Sequence, residues 1–221
     1  MKKILKGNSI LVTAGPTWVP IDRIRIITNI FTGTTGYNIA RYANGMGARV
    51  TLLLGPGGVN FKDHPPNMEI INFRYFDEFL NIIRDRLKHK KYDIIIHSAS
   101  VSDYIPIKRL RGKISSGKKN LLLRLKPTPK ITDRIKVYDP SIYFVKFKLE
   151  IDRGTKELIN IAFKSLRESN ADLIVANTLS RRRGNPKTFI IDPSKNIIPV
   201  KKRNKLPEAL IRTIIKAIKY S

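Results

Sequence analysis

Asp93-Ile94-Ile95-Ile96-His97 is a short apolar run between two polar residues, and Asp172-Leu173-Ile174-Val175-Ala176 repeats the pattern later in the chain. In both runs the apolar residues follow one another without the alternation that is typical of a half-exposed strand. Strands of this kind are buried on both faces of a sheet, as in α/β proteins whose parallel strands are covered by helices. The two runs therefore predict an α/β fold with a mostly parallel sheet.

The rest of the chain fits this prediction, because β-branched runs alternate with amphipathic segments, as expected for strands joined by crossover helices. The predicted strands are 10–13, 49–54, 92–97, 142–147 and 172–176. The predicted helices are 36–46, 76–90, 155–169 and 206–220. Segments 188–192 and 197–200 flank a Pro-Ser-Lys-Asn turn, which predicts a hairpin added to the edge of the sheet.

Composition limits the class of protein. The chain has 221 residues, of which 42% are hydrophobic, and we expect a single domain over residues 1–221. Lys and Arg number 43 against 17 Asp and Glu, so the net charge of +26 predicts attraction to anions such as nucleotides or nucleic acid. The absence of cysteine excludes disulfides, zinc-thiolate sites and a cysteine nucleophile. We expect a cytoplasmic protein, since no apolar stretch reaches the ~20 residues that span a membrane.

Two glycine-containing turns could bind an anion. Val12-Thr13-Ala14-Gly15-Pro16-Thr17 follows the first predicted strand, and Thr32-Gly33-Thr34-Thr35-Gly36 opens the next predicted helix. Glycine lets backbone N–H groups approach a ligand, and a helix N-terminus adds partial positive charge. The alternative is a structural turn with threonine caps, because the sequence is not the G-x-G-x-x-G pattern.

The segment 106–129 is the least regular part of the chain and carries the sequence KRLRGKISSGKKN. Gly112-Lys113-Ile114-Ser115-Ser116-Gly117-Lys118-Lys119 nearly matches a Walker A loop. A true P-loop joins a strand to a helix and has Ser or Thr where this chain has Lys119, so we reject that interpretation. We predict instead a basic flap that closes over an anionic ligand, with a solvated loop as the alternative.

Small and polar residues follow the strand that ends at His97. Ligands of open α/β sheets bind at the carboxyl ends of strands, so Asp103 in Ser98-Ala99-Ser100-Val101-Ser102-Asp103 is a candidate ligand-binding side chain. Its alternative role is a helix N-cap or a loop anchor. We interpret His97 as a structural residue at the strand end. Arg25 and Asn29 lie between the two glycine turns and could face the same ligand.

Taken in order, several segments resemble the phosphopantothenate-cysteine ligase (phosphopantothenoylcysteine synthetase) family, the ligase half of the bifunctional coenzyme A biosynthesis flavoprotein. The segments are VTAGPT, PIDRIRIITN, TGTTG, SASVSDY, GKISSG, FKLE and LIVAN, and the resemblance covers roughly residues 9–220. It implies a Rossmann-like three-layer sandwich, in which a mostly parallel sheet has helices on both faces, an added edge hairpin and a flexible basic flap. It also implies a homodimer with shared active sites.

The resemblance also implies roles for individual residues. The implied nucleotide-binding positions are Gly15, Thr32, Gly33, Gly36, Phe147 and Asn177. The implied phosphopantothenate-binding positions are Asn29, Ala99, Ser100 and Asp103, and the last three are also close to the nucleotide. Asn29, Lys113 and Arg25 are the implied catalytic residues, with Lys113 matching the lysine of the family's flap.

The implied reaction has two halves. The phosphopantothenate carboxylate attacks the α-phosphate of ATP or CTP with Mg²⁺, and the cysteine amine then displaces the nucleotide from the acyl-nucleotide. We expect Lys113 to neutralise charge in the first half, Asn29 to hydrogen-bond an acyl oxygen in the second, and Arg25 to orient this loop or the incoming cysteine.

The chain departs from the bacterial, CTP-dependent type of the family. That type carries GFAAE where this chain has Lys146-Phe147-Lys148-Leu149-Glu150, and lysines where it has Ser165 and Ser169. Phe31 occupies a position where a small hydroxyl residue is common. The segments FKLE and KISSG look more like the eukaryotic type, which favours ATP, with CTP as the close alternative.

Other interpretations concern partners and function class. The runs Arg181-Arg182-Arg183, Lys201-Lys202-Arg203 and Lys88-His89-Lys90-Lys91 are interpreted as solvated faces, although a basic nucleic-acid-binding protein on a Rossmann-like scaffold is the alternative function. An NAD(P)-dependent enzyme is disfavoured by the missing G-x-G-x-x-G pattern. No flavoprotein half is expected in the chain, so a flavin-dependent decarboxylase is expected as a separate partner or as part of a longer protein.

Overall fold

The computed structural model describes residues 3–57, 64–89, 92–109, 112–117, 119–179 and 187–219. The strands are β1 (Ser9–Ala14), β2 (Val19–Pro20), β3 (Ile26–Ile27), β4 (Arg49–Leu54), β5 (Met68–Asn72), β6 (Ile94–His97), β7 (Tyr104–Pro106), β8 (Leu125–Pro127), β9 (Tyr143–Ile151), β10 (Leu173–Leu179), β11 (Thr188–Ile191) and β12 (Ile197–Pro199). The helices are α1 (Thr34–Gly45), α2 (Phe76–Lys88), α3 (Thr132–Tyr138), α4 (Thr155–Glu168) and α5 (Leu206–Lys219), and a 3₁₀ turn at Arg203–Lys205 precedes α5.

Eight of the described strands form one sheet in the order β12-β11-β10-β9-β6-β1-β4-β5. Every neighbouring pair from β10 to β5 is parallel. The hairpin β11–β12 adds antiparallel strands to the β10 edge. The predicted α/β fold, with its mostly parallel sheet and its edge hairpin, is therefore confirmed.

The isoleucine run in β6 shows why its apolar residues do not alternate. Ile94 and Ile96 pack on one face of the sheet with α1 and α5, whereas Ile95 packs on the other face with α2, α3 and α4. Helices cover both faces, so every residue of the strand is removed from water. This arrangement confirms the three-layer organisation.

The aspartates that precede the two apolar runs pair with the backbone of neighbouring strands. Asp93 Oδ2 accepts a hydrogen bond from the Ser9 N–H at 2.7 Å, and Asp172 Oδ2 accepts one from the Phe144 N–H at 2.6 Å. Each carboxylate therefore accepts a hydrogen bond from a backbone N–H group near the start of a strand, where the hydrogen-bonding ladder of the sheet begins.

Some elements were not predicted from the sequence. Strand β5 lies at the sheet edge and carries Glu69 among its apolar residues, and α3 has only seven residues, so neither shows a strong periodic pattern.

Helix α1 begins two residues earlier than predicted, at Thr34, and α2 ends at Lys88. Lys90, Lys91, Arg181-Arg182-Arg183 and Tyr220 lie outside the described residues.

Two short antiparallel pairs, β2–β3 and β7–β8, stand apart from the central sheet. The β7–β8 pair joins Pro106 to Leu125, so the chain leaves and returns to the body of the protein close to the predicted bounds of the flap. Strand β2 contacts β7, which places the two small hairpins side by side. Among the helices that the structure describes, none combines the length and the hydrophobicity that a membrane-spanning segment needs.

Candidate functional site

A cavity of about 340 Å³ opens at the carboxyl ends of the central strands. Its walls come from the segments that follow β1 and β6, from residues 147–149 within β9 and from the last three residues of β10. Strand β1 has β4 on one side and β6 on the other. The chain adds β4 and β5 on the first side and later adds β6 and β9 on the second, so the connections run in opposite directions from the boundary between β1 and β6. Crevices at such a switch point are where open α/β sheets bind ligands.

Gly15 and Gly33 bring the two predicted anion-binding turns into contact. Both have a positive φ, 80° and 84°, which side chains other than glycine rarely adopt. A Cβ on Gly33 would lie 2.8 Å from the backbone nitrogen of Gly15, and a Cβ on Gly15 would lie 2.8 Å from the carbonyl oxygen of Gly55. Glycine is therefore required for the close packing that forms the floor of the cavity.

The structure brings together all of the predicted site residues except two. The cavity is lined by Gly15, Asn29, Thr32, Gly33, Gly36, Ala99, Ser100, Asp103, Phe147 and Asn177, and also by Phe31. Arg25 and Lys113 do not line the cavity of their own chain. The predicted residues come from segments far apart in sequence, and the parallel sheet gathers them because its strands end at one edge.

Asn29 is held against the segment that follows β6. Its Nδ2 donates to the Ser100 carbonyl at 3.2 Å and to the Val101 carbonyl at 3.4 Å. With both N–H groups directed to backbone oxygens, the carboxamide has its Oδ1 left to accept a hydrogen bond from a ligand. This geometry leaves one acceptor atom of Asn29 available at the cavity wall.

Asp22 and Arg25 contact Ile114, in the middle of the segment that was predicted to form a flap. The Ile114 N–H donates to Asp22 Oδ2 at 3.0 Å, and Arg25 Nη1 donates to the Ile114 carbonyl at 3.2 Å. Arg25 also forms an ion pair with Asp22. These contacts fix both backbone groups of the residue next to Lys113. Sequence reasoning missed Asp22, since its partner lies in a distant, irregular segment.

The Asp22 carboxylate is buried, with 2% of the residue exposed. The hydrogen bond from the Ile114 N–H is the largest cause that holds its pKa well below the usual range, while burial acts in the opposite direction. The N–H groups of Ile24 and Arg25 add to the lowering of the pKa. Asp22 is thus a stable anion that anchors backbone donors.

The edge hairpin contributes to the cavity, which the sequence did not indicate. Thr188 is paired with Asn177 in the β10–β11 ladder, and its hydroxyl donates to Asn177 Oδ1 at 2.9 Å. Both residues line the cavity. The hydroxyl fixes the carboxamide so that Nδ2 remains to donate to a ligand. The sequence signal that could have indicated this contact is a threonine at the start of the predicted hairpin, which can pair with the asparagine at the end of the preceding strand.

A buried polar group lies behind the cavity. His97 Nδ1 is 2.9 Å from Thr13 Oγ1, and Thr13 Oγ1 accepts a hydrogen bond from the Ala99 N–H at 3.2 Å. Burial, with a smaller contribution from nearby Lys146, lowers the pKa of His97 to about 4. His97 is therefore neutral at physiological pH and braces the strand end, in agreement with its predicted structural role.

Lys146 lies on β9 opposite His97 in the sheet register. Its Nζ donates to Ser169 Oγ at 2.9 Å and to the Ser165 carbonyl at 3.0 Å, so it occupies the space beside Ser165 of α4 and Ser169, the residue directly after that helix. Burial lowers the pKa of Lys146 to about 8. The ammonium is still mainly charged at pH 7, and it does not line the cavity.

Comparison with known sequences and structures identifies the family. The sequence model of the DNA/pantothenate metabolism flavoprotein C-terminal domain matches residues 5–218. The coenzyme A biosynthesis bifunctional protein CoaBC of Thermococcus kodakarensis is 42% identical over 178 residues. That match covers 80% of this chain and 43% of the relative, so the chain spans less than half of the relative's length.

Solved structures share the fold. The crystal structure of the DNA/pantothenate metabolism flavoprotein from Streptococcus pneumoniae has a TM-score of 0.83 and 30% identity, covering 94% of this chain and 98% of that one. The C-terminal domain of a CoaBC bifunctional protein has a TM-score of 0.80 and 24% identity, and the match covers 100% of both chains. The resemblance inferred from the ordered motifs is thereby confirmed. The chain belongs to the DNA/pantothenate metabolism flavoprotein C-terminal domain family.

Proposed function

We propose that the protein is a phosphopantothenate-cysteine ligase of coenzyme A biosynthesis, acting in the cytoplasm. The observation that carries the proposal is the gathering of the ordered family motifs around one cavity at the switch point of the sheet. The name of the Thermococcus kodakarensis relative supports the pathway. The nucleic-acid-binding alternative is not favoured by family membership.

In the first half-reaction, a carboxylate oxygen of phosphopantothenate attacks the α-phosphorus of the nucleotide, and the bond to the leaving pyrophosphate breaks. Like charges approach each other, so the site must stabilise accumulating negative charge. Backbone N–H groups at the start of α1, whose N-cap residue Gly33 has no side chain to cap them, and the Lys113 ammonium supply positive potential.

We propose Mg²⁺ as the cofactor of this step. No group of three or more metal-binding side chains occurs among the described residues, and Asp103 is the one carboxylate of the cavity wall that the structure describes. This donor set fits Mg²⁺, which is usually held by substrate phosphates, water and one or two carboxylates. When bound, Mg²⁺ neutralises phosphate charge.

In the second half-reaction, the cysteine amine attacks the acyl carbon, an amide bond forms and the nucleoside monophosphate leaves. The amine must be unprotonated, so its N–H groups are donors and its lone pair is directed at the acyl carbon. Asn29 Oδ1 is suited to accept one N–H and to orient that lone pair. This role replaces the expected hydrogen bond to an acyl oxygen.

The test of the function is direct. Purified protein with phosphopantothenate, cysteine and Mg²⁺ is incubated with ATP or CTP in parallel, and product and pyrophosphate are measured. We expect phosphopantothenoylcysteine with at least one nucleotide, and a higher kcat/KM for ATP. Absence of product with both nucleotides would overturn the proposed function, whereas equal kcat/KM values would overturn only the preference for ATP.

We also propose a homodimer, formed through the two small hairpins. Large apolar side chains are exposed in these hairpins and in the chain beside them: Ile30 is 91% exposed, Leu122 is 81% exposed, and Ile24, Tyr104 and Ile107 are also exposed. Exposed apolar side chains of this size favour a protein interface. We expect a dimer in light scattering and a shift to monomer for Ile30→Glu. Val137→Glu on α3 is the matched control, since Val137 is exposed elsewhere.

Shared active sites follow if Lys113 serves the partner's cavity, since it does not line its own. Mixing Lys113→Ala subunits with Asn29→Ala subunits tests this. If Lys113 acts across the dimer, each heterodimer contains one intact site, and random exchange restores roughly a quarter of wild-type activity. If Lys113 acts within its own chain, mixing restores nothing. The product is expected to pass to a separate or fused flavin-dependent decarboxylase.

A further inference from the structure

The cavity wall holds an arginine that the proposed reaction does not yet use. Three charged side chains line the cavity in the described part of the chain: Asp103, Lys148 and Arg203. Lys148 Nζ lies 3.2 Å from Glu150 Oε1, so its charge is already paired. Arg203 has no acidic partner among the described residues. It is therefore the cavity cation whose charge remains available to a ligand.

Arg203 lies beside the N-terminus of α1. Its Nη2 donates to Thr35 Oγ1 at 3.3 Å, across 168 positions of sequence. Thr35 is the second residue of α1, and the first turn of this helix contains no acidic residue. The hydroxyls of Thr32 and Thr34 lie 2.8 Å apart at the same point. Hydroxyls, helix N–H groups and a guanidinium thus converge on one part of the cavity.

This convergence is electrostatically unfavourable without an anion, because a guanidinium faces the positive end of a helix dipole. A phosphate group relieves the repulsion, since its oxygens accept from both backbone N–H groups and the planar guanidinium fork. We propose that Arg203 binds a phosphate group of the nucleotide at the N-terminus of α1.

The proposal rests on the proposed function, which requires a nucleoside triphosphate, and it adds a residue to that site. It also changes the interpretation of the run Lys201-Lys202-Arg203. All three residues are exposed, but only Arg203 lines the cavity, so the solvated-face interpretation holds for Lys201 and Lys202 alone. A side chain that is exposed before binding is available to a soluble ligand.

Binding measurements with ligands that differ only in phosphate number test the assignment. Calorimetric affinities for ATP, CTP and their nucleosides are compared for wild type, Arg203→Ala, Arg203→Lys and Lys202→Ala. Loss of a charge-assisted hydrogen bond predicts about tenfold weaker triphosphate binding for Arg203→Ala. We expect unchanged nucleoside binding, partial retention for Arg203→Lys, and wild-type behaviour for Lys202→Ala.

The outcomes separate this assignment from the proposed function. Equal triphosphate affinity for Arg203→Ala and Lys202→Ala would overturn the role of Arg203. Equal weakening of nucleoside and triphosphate binding would also overturn it, because the loss would then be structural. Phosphate-dependent weakening in a protein that makes no phosphopantothenoylcysteine would support the role of Arg203 and refute the ligase function.

Discussion

Asp22 and Ile114, 92 positions apart, are joined by a hydrogen bond in which the Ile114 N–H donates to the buried Asp22 carboxylate at 3.0 Å. The same carboxylate pairs with Arg25, which donates to the Ile114 carbonyl. Ile114 is only 7% exposed, whereas its neighbours Lys113 and Ser115 are exposed, so Ile114 is the residue that anchors this part of the chain. The position of Lys113 therefore depends on a carboxylate outside the flap.

Asp22→Asn should release this anchor. The amide nitrogen cannot accept the Ile114 N–H, so we expect the Lys113–Ile114 bond to become more accessible. Limited trypsin digestion, mapped by mass spectrometry, should show cleavage there at least about tenfold faster than in wild type. Asp85→Asn, in an exposed ion pair with Arg84, is the control. Unchanged cleavage at Lys113 would contradict the anchoring role.

Asn29→Ala should slow the second half-reaction more than the first. The variant loses the oxygen that orients the amine, so acyl-nucleotide should accumulate and its consumption should slow by about tenfold. Single-turnover quenched-flow measurements follow both species. Lys113→Ala is the matched comparison, and it should instead slow acyl-nucleotide formation. Identical effects of the two variants on both steps would contradict the separate roles.

Thr188→Val should weaken nucleotide binding without changing the shape of the residue. The hydroxyl that holds Asn177 Oδ1 is lost, and one neutral hydrogen bond corresponds to roughly a three- to tenfold change in affinity. Thr188→Ser retains the hydroxyl and should bind as wild type does. Calorimetric titration with ATP and CTP provides the measurement. A serine variant as weak as the valine variant would show that packing, and not the hydroxyl, is responsible.

Acid should destabilise the protein through His97. Its pKa is lowered from 6.5 to about 4 by burial, so between these values the unfolded chain binds more protons than the native state. The free energy of unfolding therefore falls as pH decreases through this window, by about 2 kcal/mol from pH 7 to 4.5. The pKa of Asp22 is also lowered, and the stability that this carboxylate contributes is lost only below the ordinary aspartate pKa of 3.8.

Urea unfolding at pH 7 and 4.5 measures this contribution. His97→Asn is the comparison, since asparagine can keep a hydrogen bond with Thr13 but does not titrate. We expect the variant to lose less stability on acidification than wild type does. An equal loss in both proteins would mean that His97 is not the group that responds.

The predicted strands and the glycine turns followed from local patterns. Strand β4 was predicted with its observed bounds, Arg49–Leu54, because five consecutive apolar or β-branched residues follow Arg49. Gly15 and Gly33 were recognisable from their places at a strand end and at a helix start. The contact between the two turns was found only in the folded chain.

By itself, the sequence determined the parallel α/β sheet, the edge hairpin and the cavity residues that belong to ordered motifs, since apolar periodicity and glycine turns act over a few residues. Tertiary structure alone decided the contacts of Asp22 with Ile114, Thr188 with Asn177, and Arg203 with Thr35. In each pair, one residue belongs to a motif that the sequence indicated. Its partner lies in the irregular segment 106–129, in the edge hairpin or in the basic run 201–203. Nothing in the local sequence distinguishes such side chains from solvated ones, because only the folded backbone brings their partners within hydrogen-bond distance.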